Sequence, residues 1–513
     1  MKTVLHWFRR DLRISDNTAL NEAARQADRV FPVFILETAW RTDPAAGAAR
    51  LAFLLQSLEV LRRNLAARGS PLIIRQGRPE EVLPQVCVAT GAAAVFANKC
   101  LEPSEQARDR RVGESLFRAG VEFKLFKDAV VWEEMEIPTQ ADRPYTVFTP
   151  YASAWKKRAI PRPRPAFKVK FLTGRSAPGP GATSRGRAGK TTPGAAPHAL
   201  CAPASDAWSA DPAEFGHPLA HPLPAAGEDA ALAALRTFMA GPIHQYAANR
   251  NLPAVNGTSQ LSPHLRAGTL GIRTLLQTLN QARAAAPAGQ KAGCEAFLNE
   301  LIWREFYGQV LANFPRVSRG AFRSGYNQLK WSKNRAHFEA WCLGRTGHPI
   351  VDAAMRCLNA TGTLHNRLRM ITAMFLTKDL LIHWQWGEAY FMRCLVDGDQ
   401  AANNGGWQWC AGTGPDAAPY FRIFNPARQA EKFDPTGEFV RRWVPELAAF
   451  PGATIHQPWT DPRRLAQTEY PPRIVRHEEQ RARCVAMFQA VRAGKAIHVT
   501  TLFKQSKQLP NEH

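Results

Sequence analysis

Three hydroxyl side chains lie close together in residues 257–265 and could bind an anion. Thr258, Ser259 and Ser262 provide the O–H groups, and a helix is predicted to begin near Ser262. The free N–H groups and the positive dipole end at the start of a helix attract phosphate. Taken alone, without its neighbours, Ser262 is better explained as a plain cap of that helix. The two alternatives for this segment are therefore an anion site and a plain cap.

A second group of polar side chains occupies residues 397–409. Asp397 and Asp399 are followed by Asn403 and by two indoles, Trp407 and Trp409. Carboxylates and amides can hydrogen-bond the edge of a polar ring, whereas indoles offer flat aromatic faces. In isolation, two carboxylates at this spacing would also suit a solvated turn or a helix N-cap.

The charge of the chain points to a polyanionic partner. Its 66 basic and 43 acidic side chains give a formal net charge of +23. Nucleic acid is favoured over a membrane surface as the partner. Residues 161–205 hold eight basic side chains and no acidic one. The alternatives for this stretch are a solubilising spacer and an arm that touches DNA without sequence preference.

Several function classes are excluded by what the sequence lacks. No apolar run is long enough for a signal peptide core or a transmembrane helix. The nine cysteines include no C-x-x-C pair, so we expect reduced thiols inside a cell, no metal site, and a buried inert thiol at Cys410. No G-x-G-x-x-G motif follows the first predicted strand, which argues against an NAD site.

Strand and helix patterns alternate through the first 130 residues. Strands are predicted at residues 4–8, 30–36, 72–75, 94–97 and 121–126. Helices are predicted between them, the first with Ser15 as its N-cap and the second over residues 46–67. This alternation is typical of a doubly wound parallel sheet.

The rest of the chain divides into three segments. Residues 131–229 contain a basic stretch rich in proline and glycine, and we expect a partly disordered interdomain connection there. Residues 230–495 show apolar and aromatic residues at helical spacing, and residues 496–513 form a tail. The fold class is therefore an α/β domain (residues 1–130) followed by an all-α domain.

Long motifs resemble those of the photolyase/cryptochrome family. Residues 4–13 (VLHWFRRDLR), 397–409 (DGDQAANNGGWQW) and 416–426 (DAAPYFRIFNP) carry the resemblance, which extends over nearly the whole chain except residues 170–225. It is greatest to the class I enzymes for cyclobutane pyrimidine dimers. It implies an N-terminal antenna domain, a C-terminal FAD-binding domain and light-driven DNA repair. The alternatives are a cryptochrome-type photoreceptor and a flavin-binding, DNA-associated protein without repair activity.

The resemblance also implies which residues bind FAD. Asp397 would pair with Arg369 beside the flavin ring, Asp399 would accept a hydrogen bond from the ring, and Asn403 would face its N5. The phosphate-binding segment and its neighbours complete the expected set: Tyr246, Thr258, Ser259, Gln260, Leu261, Ser262 and Arg304. Asparagine at position 403 favours a repair enzyme, because plant and insect cryptochromes carry Asp and Cys there.

Lesion contacts are implied in the same way. Trp303 and Trp409 would pack against the dimer, which must be flipped out of the duplex, and Glu300 would hydrogen-bond it. Asn366 and Met370 match the cyclobutane-dimer enzymes, whereas six-four photoproduct enzymes carry histidines at both positions. The expected phosphate contacts are Arg250, Arg367, Arg422 and Gln429. An electron-hopping path is expected along Trp331, Trp384 and Trp407, although a buried tryptophan taken alone is usually core.

A few residues depart from the family pattern. Thr363, Leu364, Cys410 and Pro415 replace commoner residues, which affects the packing near the flavin. Ser104 and Glu105 stand where folate-using relatives carry Asn-Glu, so folate, a deazaflavin, a flavin or no second antenna chromophore are all open. The expected partner is double-stranded DNA containing pyrimidine dimers. We expect a monomer in the cytoplasm, associated with the nucleoid if the source is bacterial.

Overall fold

Five parallel strands form the sheet of the N-terminal domain in a computed structural model that describes residues 2–43, 46–165, 203–219 and 221–493. Their order in the sheet is β3-β2-β1-β4-β5, so β1 lies at the centre. The predicted parallel α/β domain is confirmed, with each strand end within one residue of its predicted position. The strands and the helices between them are β1 (Thr3–Phe8), α1 (Thr18–Gln26), β2 (Arg29–Leu36), α2 (Ala48–Ala66), β3 (Ile73–Gln76), α3 (Pro79–Thr90), β4 (Ala94–Asn98), α4 (Pro103–Arg118) and β5 (Glu122–Phe126).

Each face of this sheet is covered by its own hydrophobic core. Successive side chains of a strand point to opposite faces. Val4 and Phe8 of β1 therefore pack into one core with α2, while Leu5 and Trp7 pack into the other with α3 and α4. Burial on both faces explains why these strands read as nearly continuous apolar runs.

The predicted N-cap of α1 is wrong by two residues. Asn17 caps this helix, and its side chain accepts a hydrogen bond from the Leu20 N–H at 3.1 Å. Ser15 instead donates its hydroxyl to the carboxylate of Glu228, at the start of the helical domain. A tertiary contact across the two domains therefore decides the role of Ser15, and local sequence could not show it.

Two described parts of residues 131–229 pack against the folded domains. Helix α5 (Phe148–Lys156) buries Tyr151 and Trp155 in the core of the helical domain. Residues 203–219 return to the sheet, where Asp206 N–H donates to the Ile74 carbonyl of β3 at 2.8 Å. We predicted partial disorder for the basic stretch, and much of it lies outside the described residues. The predicted tail at residues 496–513 also lies outside them.

The remaining helices form the predicted all-α domain. They are α6 (Glu228–Ala240), α7 (Pro242–Asn249), α8 (Ser262–Ala267), α9 (Ile272–Ala285), α10 (Lys291–Asn313), α11 (Arg335–Leu343), α12 (Pro349–Thr361), α13 (Asn366–Met374), α14 (Trp384–Cys394), α15 (Gln400–Ala411), α16 (Pro426–Phe433), α17 (Glu438–Trp443), α18 (Pro462–Leu465) and α19 (His477–Arg492). Helices α10, α13 and α14 each pack against α15. In the part of the chain that the structure describes, no helix is both long and apolar enough to cross a bilayer.

Candidate functional site

Two carboxylates precede α15, and each has a defined partner. Asp397 accepts hydrogen bonds from Arg369 Nη2 at 2.8 and 3.0 Å, and Arg369 Nε donates to the Leu364 carbonyl at 2.8 Å. Asp399 caps α15, because its Oδ1 accepts from the Ala402 N–H at 3.0 Å. The structure thus places the predicted Asp397–Arg369 pair together, and the capping alternative also applies to Asp399.

The side chain of Asn403 is held by the neighbouring helix α14. Its Nδ2 donates to the Glu388 carbonyl at 3.0 Å, which leaves its Oδ1 as the atom available to a ligand. The Glu388 carboxyl accepts from Asn404 Nδ2 at 2.8 Å, and burial raises the pKa of this carboxyl to about 7. A group that titrates near neutrality therefore lies next to the amide expected to face the flavin.

The segment with the three hydroxyls forms a tight turn at the end of α7. A Cβ at Gly257 would lie 2.6 Å from the Asn249 Cβ, so only glycine allows this approach. Gln260 has a φ of 54° and donates to the Thr258 hydroxyl at 3.0 Å. Ser262 begins α8, and this exposed serine makes no capping hydrogen bond. The capping alternative for Ser262 is therefore wrong.

Tyr246 and Arg304 lie on α7 and α10, which pack against each other. Tyr246 is buried against Phe238 and Phe297, with ring centroids 5.8 and 5.4 Å away. Arg304 donates from Nη1 to the Ala129 carbonyl at 2.9 Å, and burial lowers its pKa. Its remaining N–H groups are donors suited to an anionic ligand.

These residues fit a flavin nucleotide. Several buried side-chain atoms of the described residues have no hydrogen-bond partner, and His365 Nε2 and Trp407 Nε1 are the ones on or beside α13 and α15. Buried polar atoms normally have partners, so these two N–H groups could donate to a ligand or a water molecule. Guanidinium and hydroxyl donors for phosphates are present in Arg304 and residues 258–262, and the Asn403 amide is present for the ring edge.

The expected lesion-binding carboxylate, Glu300, is oriented by an arginine. Arg250 Nη2 donates to Glu300 Oε1 at 2.6 Å, and both side chains are about a quarter exposed. An arginine–carboxylate hydrogen bond of this length is charge-assisted and strong. It leaves Glu300 Oε2 able to accept a hydrogen bond from a pyrimidine N–H.

Trp303 has one face covered by an aromatic neighbour. Its ring stacks on Phe148 of α5 with centroids 3.7 Å apart and planes 4° from parallel. Stacking with a base would therefore use the opposite face or the edge of the indole. Trp409 and Met370 are half-buried and each packs against the core of the helical domain, and Asn366 is exposed as the first residue of α13.

The four expected phosphate contacts differ in accessibility. Arg422 is exposed, and Gln429 is half-buried on α16. Arg367 is half-buried, donates to Asn251 Oδ1 at 2.8 Å and lies 4.4 Å from the ring centre of Phe433. Arg250 is engaged by Glu300, as described above. Arg422 is therefore the freest of the four to reach a phosphate.

The three tryptophans of the expected electron path lie in different surroundings. Trp384 and Trp407 are buried, whereas Trp331 is half-buried. His383 lies between Trp331 and Trp384, with ring centroids 5.5 and 5.7 Å away. Trp407 packs on α14 at Gly387, where any Cβ would overlap its ring.

A cluster of charges that the sequence analysis missed joins the two domains beside α15. Arg10, two residues after β1, donates to Asp399 at 3.2 Å and lies 2.8 Å from Glu102 and 3.0 Å from Glu105. Arg266 of α8 is 2.9 Å from Glu102, whose pKa burial raises to about 7. The sequence signal for this cluster was the Arg-Arg pair in the motif at residues 4–13. Charge alone, however, did not show which residues Arg10 contacts.

The residues that depart from the family pattern, and Glu105 of the antenna region, have different surroundings. Cys410 is buried, its thiol lies 3.9 Å from the Met370 carbonyl, and burial raises its pKa to about 12. This fits the predicted inert thiol. Glu105, at a position where folate-using relatives also carry Glu, accepts a hydrogen bond from Arg10 Nη1 at 3.0 Å. Nothing in the structure explains Pro415, and the Thr363 hydroxyl hydrogen-bonds that of Thr361 at 2.8 Å.

Comparisons with known proteins agree with the motifs. Residues 4–168 match a family model described as "DNA photolyase", and residues 297–490 match "FAD binding domain of DNA photolyase". The chain is 42% identical over 508 residues to deoxyribodipyrimidine photo-lyase of Escherichia coli K12. That match covers 96% of this chain and all of the relative.

Solved structures show the same fold. A class III photolyase from Agrobacterium tumefaciens is 34% identical, with a TM-score of 0.83 over 96% of this chain and 98% of the other. A cryptochrome from Synechocystis is 27% identical, with a TM-score of 0.79 over 95% of this chain and 99% of that protein. The fold therefore accommodates both repair enzymes and cryptochromes.

Proposed function

This chain belongs to the photolyase/cryptochrome family, and from this we infer that it catalyses the deoxyribodipyrimidine photo-lyase reaction, the light-driven repair of cyclobutane pyrimidine dimers in DNA. Its cofactor is FAD. The observation that carries the function is the match along nearly the whole chain to relatives with that activity.

The chemistry that bound FAD would supply, in its reduced and light-excited form, is reversible transfer of one electron to the dimer. No proton has to move to a leaving oxygen in this reaction. Met370 can therefore serve as an apolar, polarisable wall of the pocket. Glu300, oriented by Arg250, would accept a hydrogen bond from the dimer and hold it during ring splitting.

The cofactor contacts proposed for this chain follow the geometry described above. Arg369 would lie beside the flavin ring with its charge balanced by Asp397, and Asn403 would present its Oδ1 to the ring edge. Asp399 would contact the ring through an oxygen that Arg10 also approaches. The phosphates would lie against residues 258–262 and Arg304, with Tyr246 as a further contact.

For the DNA partner, we propose that Trp303 and Trp409 pack against the flipped dimer, with Asn366 and Met370 at its edge. Arg250, Arg367, Arg422 and Gln429 would contact phosphates on either side. The exposure of Arg422 supports this role, because a phosphate contact must reach out from the protein surface.

We further propose that the enzyme acts as a monomer in the cytoplasm. Support for the compartment comes from the eight described cysteines, which are all free thiols. A second antenna chromophore would lie in the α/β domain. If it were folate, Glu105 would be a candidate contact, with one carboxylate oxygen already bonded to Arg10.

The decisive experiment uses two defined duplexes, one with a cyclobutane dimer and one with a six-four photoproduct. The purified holoprotein is illuminated with each duplex, and restored bases are counted by chromatography. We expect repair of the cyclobutane dimer alone, because neither Asn366 nor Met370 can donate a proton at neutral pH. Equal repair of the six-four photoproduct would refute the assignment.

A cryptochrome-type photoreceptor is the second candidate, favoured by the structural match to the Synechocystis protein. The same assay separates the two functions. A photoreceptor would carry FAD and respond to light but leave the dimer intact. A protein without flavin in its absorption spectrum would refute both.

A further inference from the structure

Residues 412–422, called the 412–422 loop below, follow α15 and end at the exposed Arg422. Asp416 of this loop accepts a hydrogen bond from the Phe148 N–H at 3.0 Å, and Phe148 stacks on Trp303. The loop therefore lies beside an indole that we propose to pack against the dimer. It consists of turns and irregular backbone, so contacts with neighbouring elements fix its conformation.

One of these contacts is made by Tyr420, two residues before Arg422. Its ring lies nearly parallel to that of Phe488 on α19, with the centroids 5.7 Å apart and the planes at 13°. Phe488 is fully buried, and Tyr420 is half-buried. Aromatic rings attract each other in offset stacks at centroid separations of roughly 4.5–7 Å. Helix α19 therefore holds the loop at a point next to Arg422.

Each ring of this pair also contacts a cation. Lys378 Nζ lies 4.0 Å from the ring centre of Phe488, and the Arg492 guanidinium lies 5.4 Å from that of Tyr420. Lys378 is buried, and its Nζ donates to the Ala411 carbonyl at the end of α15 at 2.8 Å. Cations over aromatic rings add to the attraction between the rings and their surroundings. Tyr420, Phe488, Lys378 and Arg492 therefore form one cluster, the Tyr420 clamp.

The start of the 412–422 loop lies against the same clamp. Gly412 has a φ of 79°, and a Cβ there would lie 3.3 Å from Lys378 Nζ and 3.6 Å from the Tyr420 Cα. At the other end, the Arg422 N–H donates to the Pro419 carbonyl at 2.8 Å. Two residues span at most about 7 Å of backbone, so the Arg422 Cα lies within that distance of the Tyr420 Cα. Arg422 therefore has little freedom while Tyr420 is held.

We propose that Tyr420 is a positioning residue for DNA binding, which holds Arg422 where it meets a phosphate through its stack on Phe488. The proposal rests on the proposed function, because it requires the contact between Arg422 and a phosphate. A side chain that is already held in its bound position loses less conformational entropy when DNA binds. Without the stack, the loop takes up other conformations and Arg422 no longer lies at the phosphate.

The test measures binding of dimer-containing duplex to the FAD-loaded protein in the dark, over a series of salt concentrations. Arg422→Gln should make the slope of log K against log salt less steep by about one. Tyr420→Leu should do the same, although it removes no charge. Combining the two substitutions should change the slope no further, because both remove the same phosphate contact. A merely structural role of Tyr420 predicts additive effects instead.

Two variants serve as controls. Tyr420→Phe keeps the stacked ring and should bind DNA with the wild-type slope. Tyr326 contacts the same Phe488, with ring centroids 5.4 Å apart, but belongs to a different segment, so Tyr326→Leu should also keep that slope. Flavin absorbance reports that each variant is loaded. If Tyr420→Leu loses its flavin, Tyr420→Met, which fills more of the space without stacking, takes its place in the same measurements.

A wild-type slope in Tyr420→Leu, beside a reduced slope in Arg422→Gln, would overturn the proposal. A further decrease when the two substitutions are combined would also overturn it. Both results leave the proposed function intact, because Arg422 would still contact a phosphate. An unchanged slope in Arg422→Gln would instead refute that contact, and absence of dimer repair by the wild-type protein would refute the proposed function itself.

Discussion

Arg10 Nη2 lies 3.2 Å from Asp399 Oδ2, although the two residues are 389 positions apart in the chain. Arg10 lies two residues after the central strand of the α/β domain, and Asp399 caps the helix that carries Asn403 and Trp407. The N-terminal domain therefore supplies a charge to the flavin motif of the helical domain. The orientation of α15 depends on how the two domains dock.

Replacing Arg10 should weaken both domain docking and cofactor retention. Arg10→Ala leaves Glu102, Glu105 and Asp399 with less compensating charge at a mostly buried interface. We expect a loss of about 2–4 kcal/mol in the free energy of unfolding, together with less FAD retained on gel filtration. Arg25→Ala, which removes an exposed ion pair in the same domain, should change stability by less than about 0.5 kcal/mol. Equal effects from the two variants would contradict this role.

Glu388 should make stability depend on pH. Because burial raises its pKa to about 7 from the ordinary 4.5, the folded protein holds a proton that the unfolded chain releases. Its stabilising contribution is complete below pH 4.5 and is lost as the pH rises to about 7. Denaturant unfolding measures this effect. Between pH 5 and pH 8, the free energy of unfolding of wild type should fall by about 2 kcal/mol more than that of Glu388→Gln. The exposed Glu339→Gln should show none.

Trp303 should contribute to lesion binding through its indole face. Trp303→Ala should weaken binding of dimer-containing duplex in the dark by about 1–3 kcal/mol. Phe148→Leu disrupts the internal stack but keeps the indole, so it should lose much less. Fluorescence anisotropy with labelled duplex measures both. Equal losses would mean that the Phe148–Trp303 stack, rather than a base contact, accounts for the effect.

Glu300 should affect the chemical step more than cofactor binding. Glu300→Ala removes the hydrogen-bond acceptor and should lower the number of dimers repaired per absorbed photon while FAD stays bound. Glu300→Gln keeps an acceptor oxygen and should give an intermediate yield. Yields are compared at saturating enzyme, so that altered affinity does not contribute. A yield in Glu300→Ala equal to that of wild type would exclude this role.

Binding to DNA should weaken steeply with salt, because each arginine that neutralises a phosphate releases counterions. Arg422→Gln should lower the slope of log K against log salt by about one. Arg63→Gln, an exposed arginine of α2 in the other domain, should leave the slope unchanged. An affinity that does not depend on salt would show that the basic excess serves another purpose.

Much of the architecture could be predicted because the relevant signals are local. Strands β1 and β2 read as continuous apolar runs because both faces of the sheet are buried. The helical spacing of Leu51, Leu55 and Leu58 correctly indicated α2. The site helices were found through long motifs rather than through propensity. The motif at residues 397–409 drew attention to Asp397, which pairs with Arg369 of α13, and to Asn403, whose amide lies on α15.

What could not be predicted depends on contacts between distant segments. Ser15 matches a capping pattern but bonds to Glu228. Arg10 is one of many arginines in a basic chain until the fold brings it to Asp399. Helix α5 lies in a segment that we predicted to be a connection, because it is rich in proline and glycine. Trp155 of this helix nevertheless donates to Glu305 at 2.7 Å in the core of the helical domain. Composition averaged over a long segment does not reveal single buried residues of this kind.

The return of residues 203–219 to β3 has a consequence for self-association. β3 is the outer strand of the sheet, and an uncovered outer strand can template a strand from another molecule. Here the Ser205 hydroxyl accepts from the Ile74 N–H at 3.0 Å, and the Asp206 carboxylate accepts from the Gln76 N–H at 2.8 Å. These side chains occupy the groups through which a second copy would pair, so the sheet ends within its own chain and edge-to-edge aggregation is blocked there.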